Sequence, residues 1–187
     1  DRIEAGSYIL ATMATKGRLK LNNFNPKDLA LPLKLYKGMG LKIKKLSNSS
    51  YEIYCKTLKP IKKISTKEFP GYPTDLQAQL IATQLKSGLK SKVVENIFEN
   101  RFIHIPELRR FGANLSIKGN TVTIDKTSNL LGAEVMATDI RASFSLIIAA
   151  MMSKGKTVIN RIYHLDRGYE DFDLKLKKCG VNISRKK

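Results

Sequence analysis

The amino-acid sequence predicts an α+β fold, an inside-out α/β barrel or prism in which helices lie inside and sheets lie outside. Two features of the sequence lead to this prediction. A helix-strand-helix-strand-strand pattern recurs three times with a period of about 70 residues, which is typical of a repeat architecture. The first helix of the third repeat is an almost unbroken apolar run over 144–152, and a helix that is apolar on all sides must be buried. We expect one domain, with units at approximately 1–63, 64–127 and 128–187.

The elements of the three units follow one another in the same order. Their first helices end at short glycine-containing segments, 15–17, 86–88 and 153–155. Alternating or β-branched runs then predict one strand in each unit, over 19–24, 93–98 and 158–163. The second helices are expected to close at glycines, which readily take the left-handed cap conformation: Gly38, Gly112 and Gly180. Second strands are predicted at 41–43, 115–117 and 181–183, and partner strands in the first two units at 51–54 and 121–124.

The composition is that of a basic chain that can form an ordinary domain. With 187 residues and 42% hydrophobic content, the chain is large enough to bury a core. Its formal net charge of +18 favours an anionic partner without identifying it. The lysines are spread along the sequence, so solvated surfaces explain the charge equally well. There is no Trp, and no run alternates aromatic with basic residues, so nucleic-acid binding remains a secondary hypothesis.

Signals for targeting, metals and cofactors are weak. No window offers the roughly 20 apolar residues of a membrane-spanning helix, and the start lacks the layout of a signal peptide, so we expect a soluble, cytoplasmic protein. Cys55 and Cys179 have no CxxC spacing, which argues against a zinc site and a disulfide framework. No organic cofactor is implied. The chain opens at Asp1 without a Met, and we expect a further part upstream.

Two predicted first helices open with the same dipeptide. Thr74-Asp75 precedes the first helix of the second unit, and Thr138-Asp139 precedes that of the third. Such residues commonly cap helices, because a side-chain oxygen accepts a hydrogen bond from a free backbone amide. The dipeptides are either structural caps or parts of a site.

Three arginines lie near predicted helix starts. Arg101 and Arg167 follow the first strands of the second and third units, and Arg141 follows Asp139. Free backbone amides and the helix dipole favour anions at such places, so the arginines could form an anion site. Surface ion pairs are the alternative, with Glu99 for Arg101, Asp139 for Arg141, and Asp166 or Glu170 for Arg167.

Five strings of the sequence together resemble one family. They are DRIEAG at 1–6, YPTDLQAQ at 72–79, IFENRF at 97–102, MATDIRAS at 136–143 and RIYHLDRGY at 161–169. In this order they are similar to the UDP-N-acetylglucosamine 1-carboxyvinyltransferases, which are also called UDP-N-acetylglucosamine enolpyruvyl transferases. The similarity extends from end to end of the chain. Ser7, Tyr72 and Ile140 are conservative departures from the family pattern.

The resemblance implies a function and a set of site residues. Members of the family have two similar domains of three units each, and they transfer enolpyruvyl from phosphoenolpyruvate to the 3'-hydroxyl of UDP-N-acetylglucosamine, the committed step of peptidoglycan precursor synthesis. By resemblance, Asp75 contacts that hydroxyl and takes its proton, and Ile97 contacts the sugar nucleotide through its backbone. Arg101, Arg141 and Arg167 belong to the set around phosphoenolpyruvate. No metal or organic cofactor follows from the resemblance.

The resemblance also implies that parts of the enzyme lie outside this chain. These parts are the N-terminal partner domain, the first strands of this domain, a lysine-asparagine pair and a mobile loop with a reactive Cys or Asp. We therefore expect the isolated chain to be inactive. Two alternatives remain: the related shikimate-pathway enolpyruvyl transferase, and a basic nucleic-acid-binding or RNA-end-processing module of similar repeat fold. The latter requires a catalytic histidine, and His104 and His164 lie within or beside the family's strings instead.

Overall fold

The computed structural model describes residues 1–186, which form seven α-helices and nine strands. The helices are α1 Arg2–Ala14, α2 Ala30–Gly38, α3 Gln77–Gln84, α4 Ile105–Arg110, α5 Phe144–Met152, α6 Tyr163–Asp166 and α7 Phe172–Lys178. The strands are β1 Arg18–Leu21, β2 Lys42–Lys45, β3 Tyr51–Tyr54, β4 Lys63–Ser65, β5 Ser91–Val94, β6 Leu115–Lys118, β7 Thr121–Ile124, β8 Glu134–Met136 and β9 Val158–Asn160. Two short 3-10 helices precede α2 and α3, at Pro26–Leu29 and Thr74–Leu76.

The first helices of the three units form the centre of the molecule. Helices α1, α3 and α5 pack against one another, and every residue of α3 is buried. In α5 the apolar run is buried almost completely, as its composition predicts. Gly6 of α1 lies against Leu76 of the 3-10 helix before α3, where a Cβ on Gly6 would lie 2.6 Å from a methyl carbon of Leu76 and would force that side chain to shift. Helices are therefore inside, as the sequence predicts.

Three separate sheets cover this helical centre, and they do not join into a closed barrel within residues 1–186. The first has the strand order β1-β3-β2 and is antiparallel. The second has the order β4-β5-β7-β6, in which β4 and β5 are parallel. The third contains the parallel pair β8-β9. Their inner faces contribute fully buried side chains to one continuous core, among them Ile53, Val93 and Val122.

The predicted partner strands β3 and β7 are confirmed at their predicted bounds. The predicted strand at 181–183 is wrong, because these residues form no strand. In the first two sheets the strand that follows the second helix of the unit hydrogen-bonds only to its partner strand, β2 to β3 and β6 to β7. No such partner exists in the third unit among residues 1–186, so the backbone at 181–183 has no strand to pair with.

The strands that follow the first helices are shorter than predicted, and two strands were not predicted. Strands β1, β5 and β9 end at Leu21, Val94 and Asn160. After β1 and β9 the chain turns through left-handed residues, Asn23 and Arg161, which extended structure cannot include. The unpredicted strands are β4 and β8, each of only three residues, which run parallel to β5 and β9. Among residues 1–186 no helix is long and apolar enough to cross a membrane.

Candidate active site

The candidate site is built at the carboxyl ends of the two parallel strand pairs. Thr66 follows β4 and its amide donates to the carbonyl of Val94 at 2.9 Å; Ala137 follows β8 and its amide donates to the carbonyl of Asn160, also at 2.9 Å. The two pairs are thus extended in the same way. Glu95 comes next after β5, and Arg161 comes next after β9. Ligands in sheets with parallel strands commonly bind outside such ends.

In the second unit a buried carboxylate organises this edge. Glu95 is only 3% exposed. Its Oε1 accepts hydrogen bonds from the hydroxyl of Thr66 at 2.8 Å and from the amides of Ile97 and Phe98 at 2.8 and 3.2 Å. Its Oε2 accepts from the hydroxyl of Thr74 at 2.9 Å. Glu95 therefore connects β4, the segment after β5 and the entry to α3.

Asp75 and Arg101 meet at this edge. A guanidinium nitrogen of Arg101 donates to Asp75 Oδ1 at 2.8 Å. The side chain of Asp75 is 40% exposed, and that of Arg101 is 22% exposed and lies over the ring of Phe98. Asp75 Oδ2 has no described partner, so this partly exposed carboxylate retains a free acceptor. The alternative ion pair of Arg101 with Glu99 is not formed in residues 1–186.

The helix caps predicted at Thr74-Asp75 and Thr138-Asp139 are both wrong, because neither the 3-10 helix at 74–76 nor α5 has a side-chain cap, and Asp139 binds the turn before α5 instead. The 3-10 helix at 74–76 has no side-chain cap, because the Thr74 hydroxyl is bound to Glu95 and Asp75 to Arg101. In the third unit Asp139 Oδ1 accepts from the amides of Arg141 and Ala142 at 2.8 and 2.5 Å. Asp139 thus caps the turn that leads into α5.

The side chain of Arg141 binds residues that are distant from it in the sequence. It donates to the carboxylate of Asp1 at 2.7 Å and to the carbonyl of Gly168 at 2.6 Å, and it lies over the ring of Tyr169. The alternative ion pair with Asp139 is therefore not formed. Arg141 instead joins the start of α1 to the segment that carries Arg167.

Arg167 is an exposed arginine without an ion pair among residues 1–186. Both carboxylates that its sequence neighbourhood offers are bound elsewhere: Asp166 pairs with Arg185 at 2.5 Å and Glu170 with Lys175 at 3.5 Å. Arg167 lines an open cleft of about 700 Å³ together with Asp1. The partner of Arg141 and the side chain of Arg167 therefore border a common space.

A buried polar network joins the two edges. The amide nitrogen of Gln79 in α3 donates to the carbonyl of Arg141 at 3.0 Å and contacts the hydroxyls of Tyr169 and Ser7 at 3.0 and 3.2 Å. Burial raises the pKa of the Tyr169 hydroxyl, which keeps it neutral in this network. The start of α3 in the second unit is thus held against the Arg141 and Tyr169 segments of the third.

His104 is unsuited to be the catalytic histidine that an RNA-end-processing enzyme requires, and His164 contacts side chains of its own segment. His104 is fully buried, and burial lowers its pKa to about 3, while a backbone contact with Arg101 opposes this shift without cancelling it. His164 packs against the ring of Tyr163, with the ring centroids 4.3 Å apart. Within residues 1–186 no group of three or more His, Cys, Asp or Glu side chains is placed to hold a metal ion.

Of the five candidate site residues, the structure places Asp75 and Arg101 in direct contact. Ile97 lies within the same Glu95-bound segment. Arg141 and Arg167 lie at the edge of the third unit, where Arg141 donates to the carbonyl of Gly168 and Arg167 directly precedes Gly168 in the chain. Sequence reasoning missed Glu95. The signal in the sequence is a charged residue directly after the β-branched pair Val93-Val94. A carboxylate that adjoins a buried strand needs several hydrogen-bond donors, so this position indicates a local polar network.

Solved structures share this arrangement of helices and sheets. An enolpyruvyl transferase, NikO from Streptomyces tendae, is similar with a TM-score of 0.86 and 25% identity, over 98% of this chain and 44% of that one. The EPSP synthase from Acinetobacter baumannii is similar with a TM-score of 0.71 and 15% identity, over 99% of this chain and 47% of that one, a likeness of fold alone. The chain thus has the fold of a domain of the enolpyruvyl transferases.

Sequence comparisons define the family. The family model described as EPSP synthase (3-phosphoshikimate 1-carboxyvinyltransferase) matches residues 1–176, and the chain belongs to this family. Curated relatives from Pelagibacter ubique (strain HTCC1062) and Helicobacter hepaticus (strain ATCC 51449 / 3B1) are 50% and 46% identical over 187 residues. Both are named UDP-N-acetylglucosamine 1-carboxyvinyltransferase. The chain spans 44% of the length of each.

Proposed function

We propose that the protein containing this chain transfers the enolpyruvyl group of phosphoenolpyruvate to the 3'-hydroxyl of UDP-N-acetylglucosamine. In this reaction the hydroxyl loses its proton to a base and its oxygen bonds to C2 of phosphoenolpyruvate, the bond between C2 and the oxygen of the phosphate group breaks, and inorganic phosphate leaves with the proton. The product is a precursor of peptidoglycan, which links the activity to cell-wall formation, cell shape and cell division. A cytoplasmic location is part of the proposal.

One observation carries the assignment of residues: Asp75 is a partly exposed carboxylate held by Arg101, with one oxygen left without a described partner. A proton acceptor must reach the attacking hydroxyl, and Asp75 is the group that we assign to this role. The amide of Ile97 is bound by Glu95, whereas no described residue donates to its carbonyl. We therefore assign the carbonyl of Ile97 to a donor group of the sugar nucleotide.

The arginines are assigned to phosphoenolpyruvate, which carries a phosphate and a carboxylate. A guanidinium group can bind such anions through two parallel hydrogen bonds, which a lysine cannot do. Arg167 has no ion pair among residues 1–186 and lines an open cleft, in which several carboxylates, such as Asp1 and Asp166, are paired with other cations. Arg101 is adjacent to the proposed base, and Arg141 is held beside Gly168. The net charge of +18 fits the attraction of two anionic substrates.

The rest of the site belongs to parts of the protein beyond this chain in the proposal. In the first sheet β1 is an edge strand, whereas its counterpart β5 has the parallel strand β4 on that side. This difference supports the proposal that another part of the protein supplies a strand beside β1. Binding from one side of a cleft cannot exclude water or compensate for the lost freedom of the ligands. We expect the isolated chain to have no transferase activity and poor affinity for the sugar nucleotide.

Phosphate release from phosphoenolpyruvate by the full-length protein tests the proposal, with UDP-N-acetylglucosamine and shikimate 3-phosphate as alternative acceptors. We expect release with the sugar nucleotide alone. The second candidate is the shikimate-pathway reaction, which the description of the matching family favours. Release with shikimate 3-phosphate and not with UDP-N-acetylglucosamine would establish that candidate and refute the proposal. Turnover by residues 1–187 alone at the rate of the full-length protein would refute the division of the site.

A further inference from the structure

We propose that Glu95 is a positioning residue for the transfer reaction, a buried carboxylate that holds the proposed base, the sugar-nucleotide contact and one arginine in a single arrangement. The inference rests on the proposed function for the identity of the substrates. The clamp itself is defined by the hydrogen bonds of Glu95, which are independent of the ligand. We call Glu95, Thr66 and Thr74 the carboxylate clamp.

In the carboxylate clamp, every hydrogen bond is donated to the side chain of Glu95. Glu95 is 3% exposed and accepts four hydrogen bonds, two from the hydroxyls of Thr66 and Thr74 and two from the amides of Ile97 and Phe98. Glu95 forms no ion pair with a described cation. A buried carboxylate without a cation requires several donors, and each charge-assisted bond is stronger than a neutral one. The clamp is therefore rigid, and its geometry depends on Glu95.

Each arm of the clamp ends next to a residue of the proposed site. The bond to the Ile97 amide orients the peptide group before Ile97, and the next peptide group contains the Ile97 carbonyl. The bond to Thr74 holds the residue directly before Asp75. The bond to the Phe98 amide holds the residue whose ring lies 5.1 Å from the guanidinium of Arg101. A shift of Glu95 would thus displace three site residues together.

The third unit shows that the fold does not require a carboxylate at this position. Arg161 occupies the equivalent place after β9, with a left-handed φ of 57°. Ala137 occupies the place of Thr66 and has no hydroxyl to donate. The third unit nevertheless forms the same parallel pair and the same central helix. The clamp is therefore a feature of the second unit alone, where the proposed base lies.

Two substitutions of Glu95 distinguish a positioning role from a role in proton transfer and from a role of its negative charge. In Glu95→Gln the carbonyl oxygen can still accept from Thr66, Ile97 and Phe98, and the new amide can donate to the Thr74 hydroxyl, which also accepts. In Glu95→Ala all four donors lose their acceptor. We expect Glu95→Gln to retain kcat/KM within about fivefold, and Glu95→Ala to lose at least about 10-fold in affinity for UDP-N-acetylglucosamine and more in kcat.

The experiment uses the full-length protein, with calorimetric titration of UDP-N-acetylglucosamine, steady-state kinetics and thermal melting. Asp125→Asn is the matched control, because Asp125 lies at the opposite end of the same sheet and pairs only with Lys90. It should change neither affinity nor kcat. A Glu95→Gln protein that melts normally and is as inactive as Glu95→Ala would overturn the proposal, since a positioning role must be rescued by the amide. Full affinity and kcat in Glu95→Ala would overturn it as well.

If Glu95→Ala fails to fold, substitutions of Thr74 test the positioning role instead. Thr74→Val removes the hydroxyl and keeps the shape, whereas Thr74→Ser keeps the hydroxyl. We expect Thr74→Val to lower kcat at least about fivefold with a smaller change in sugar-nucleotide affinity, because Asp75 moves while the Ile97 bond remains, and Thr74→Ser to restore kcat. Equal kcat in both variants and the parent would overturn the positioning role.

Amide hydrogen exchange separates failure of this inference from failure of the proposed function. If the parent protein does not turn over UDP-N-acetylglucosamine, the proposed function fails. The clamp still predicts that the amides of Ile97 and Phe98 lose protection in Glu95→Ala and keep it in Glu95→Gln and Asp125→Asn. Equal protection at these two amides in all the proteins would refute the clamp.

Discussion

In the second unit the residues 67–73 separate the end of β4 and Thr66 from Thr74-Asp75, whereas in the third unit Thr138-Asp139 follows Ala137 directly. The longer connection brings Asp75 opposite Arg101, with Glu95 bound behind it. The short connection leaves Asp139 in the turn before α5, where two backbone amides occupy one of its oxygens.

This difference teaches that one dipeptide can serve two purposes in two copies of a repeat. Asp75 contacts a side chain and retains a free acceptor, whereas Asp139 satisfies backbone donors. The arginines differ in the same way. Arg101 is paired with a carboxylate of its own unit, while Arg167 has no ion pair among residues 1–186. In the proposed function, the second unit therefore provides the base and one arginine, Arg101, and the third unit provides the arginines Arg141 and Arg167.

The largest effect is expected for Asp75→Asn in the full-length protein. The change keeps the shape and removes the proton acceptor, so turnover should fall roughly 10²-fold or more. Since Asp75 caps no helix, the melting temperature should stay within a few degrees of the parent. Phosphate-release kinetics and thermal melting measure the two quantities. A fully active variant would remove Asp75 from the mechanism, and an unfolded one would show that Asp75 is structural.

A smaller effect is expected for Arg167→Lys. Lysine keeps the charge but cannot form two parallel hydrogen bonds, and losing one charge-assisted bond in a closed site costs about 1.5 to 3 kcal/mol. We expect at least about a tenfold loss in kcat/KM for phosphoenolpyruvate, with little change in affinity for UDP-N-acetylglucosamine alone.

Arg185→Lys is the matched control for Arg167→Lys, because Arg185 is bound to Asp166 and Asp173. Arg185 lines the same cleft and should affect kinetics little. The hydrogen bond from Arg185 lowers the pKa of the Asp173 carboxyl, as expected of a structural ion pair. Unchanged kinetics for phosphoenolpyruvate in Arg167→Lys would show that Arg167 is not part of the anion site.

The smallest effect concerns stability and tests the capping difference directly. Asp139→Ala removes the acceptor of two backbone amides and should lower the free energy of unfolding by about 0.5–2 kcal/mol, whereas Asp139→Asn should retain most of it. Chemical denaturation of the full-length protein measures this quantity. Equal destabilisation by Asn and Ala would indicate that the charge of Asp139 matters and not its capping bonds.

The sequence by itself determined the repeat, the burial of the central helices and the partner strands β3 and β7. Hydrophobic periodicity and turn residues act locally, so a run such as 144–152 specifies a buried helix without reference to its neighbours. Together, the five strings also indicated the similarity to UDP-N-acetylglucosamine 1-carboxyvinyltransferases that the curated relatives confirm. These features depend on residues that are close in the sequence.

Only the tertiary structure decided what the candidate site residues contact. Whether Asp75 caps a helix or binds Arg101 depends on the path of 67–73, and the burial of Glu95 depends on Thr66, which follows another strand. The strand predicted at 181–183 fails for the same reason, since a strand needs a partner and its own sequence cannot supply one. Pairing between distant segments is a property of the folded chain, because it requires donors and acceptors from several elements to meet.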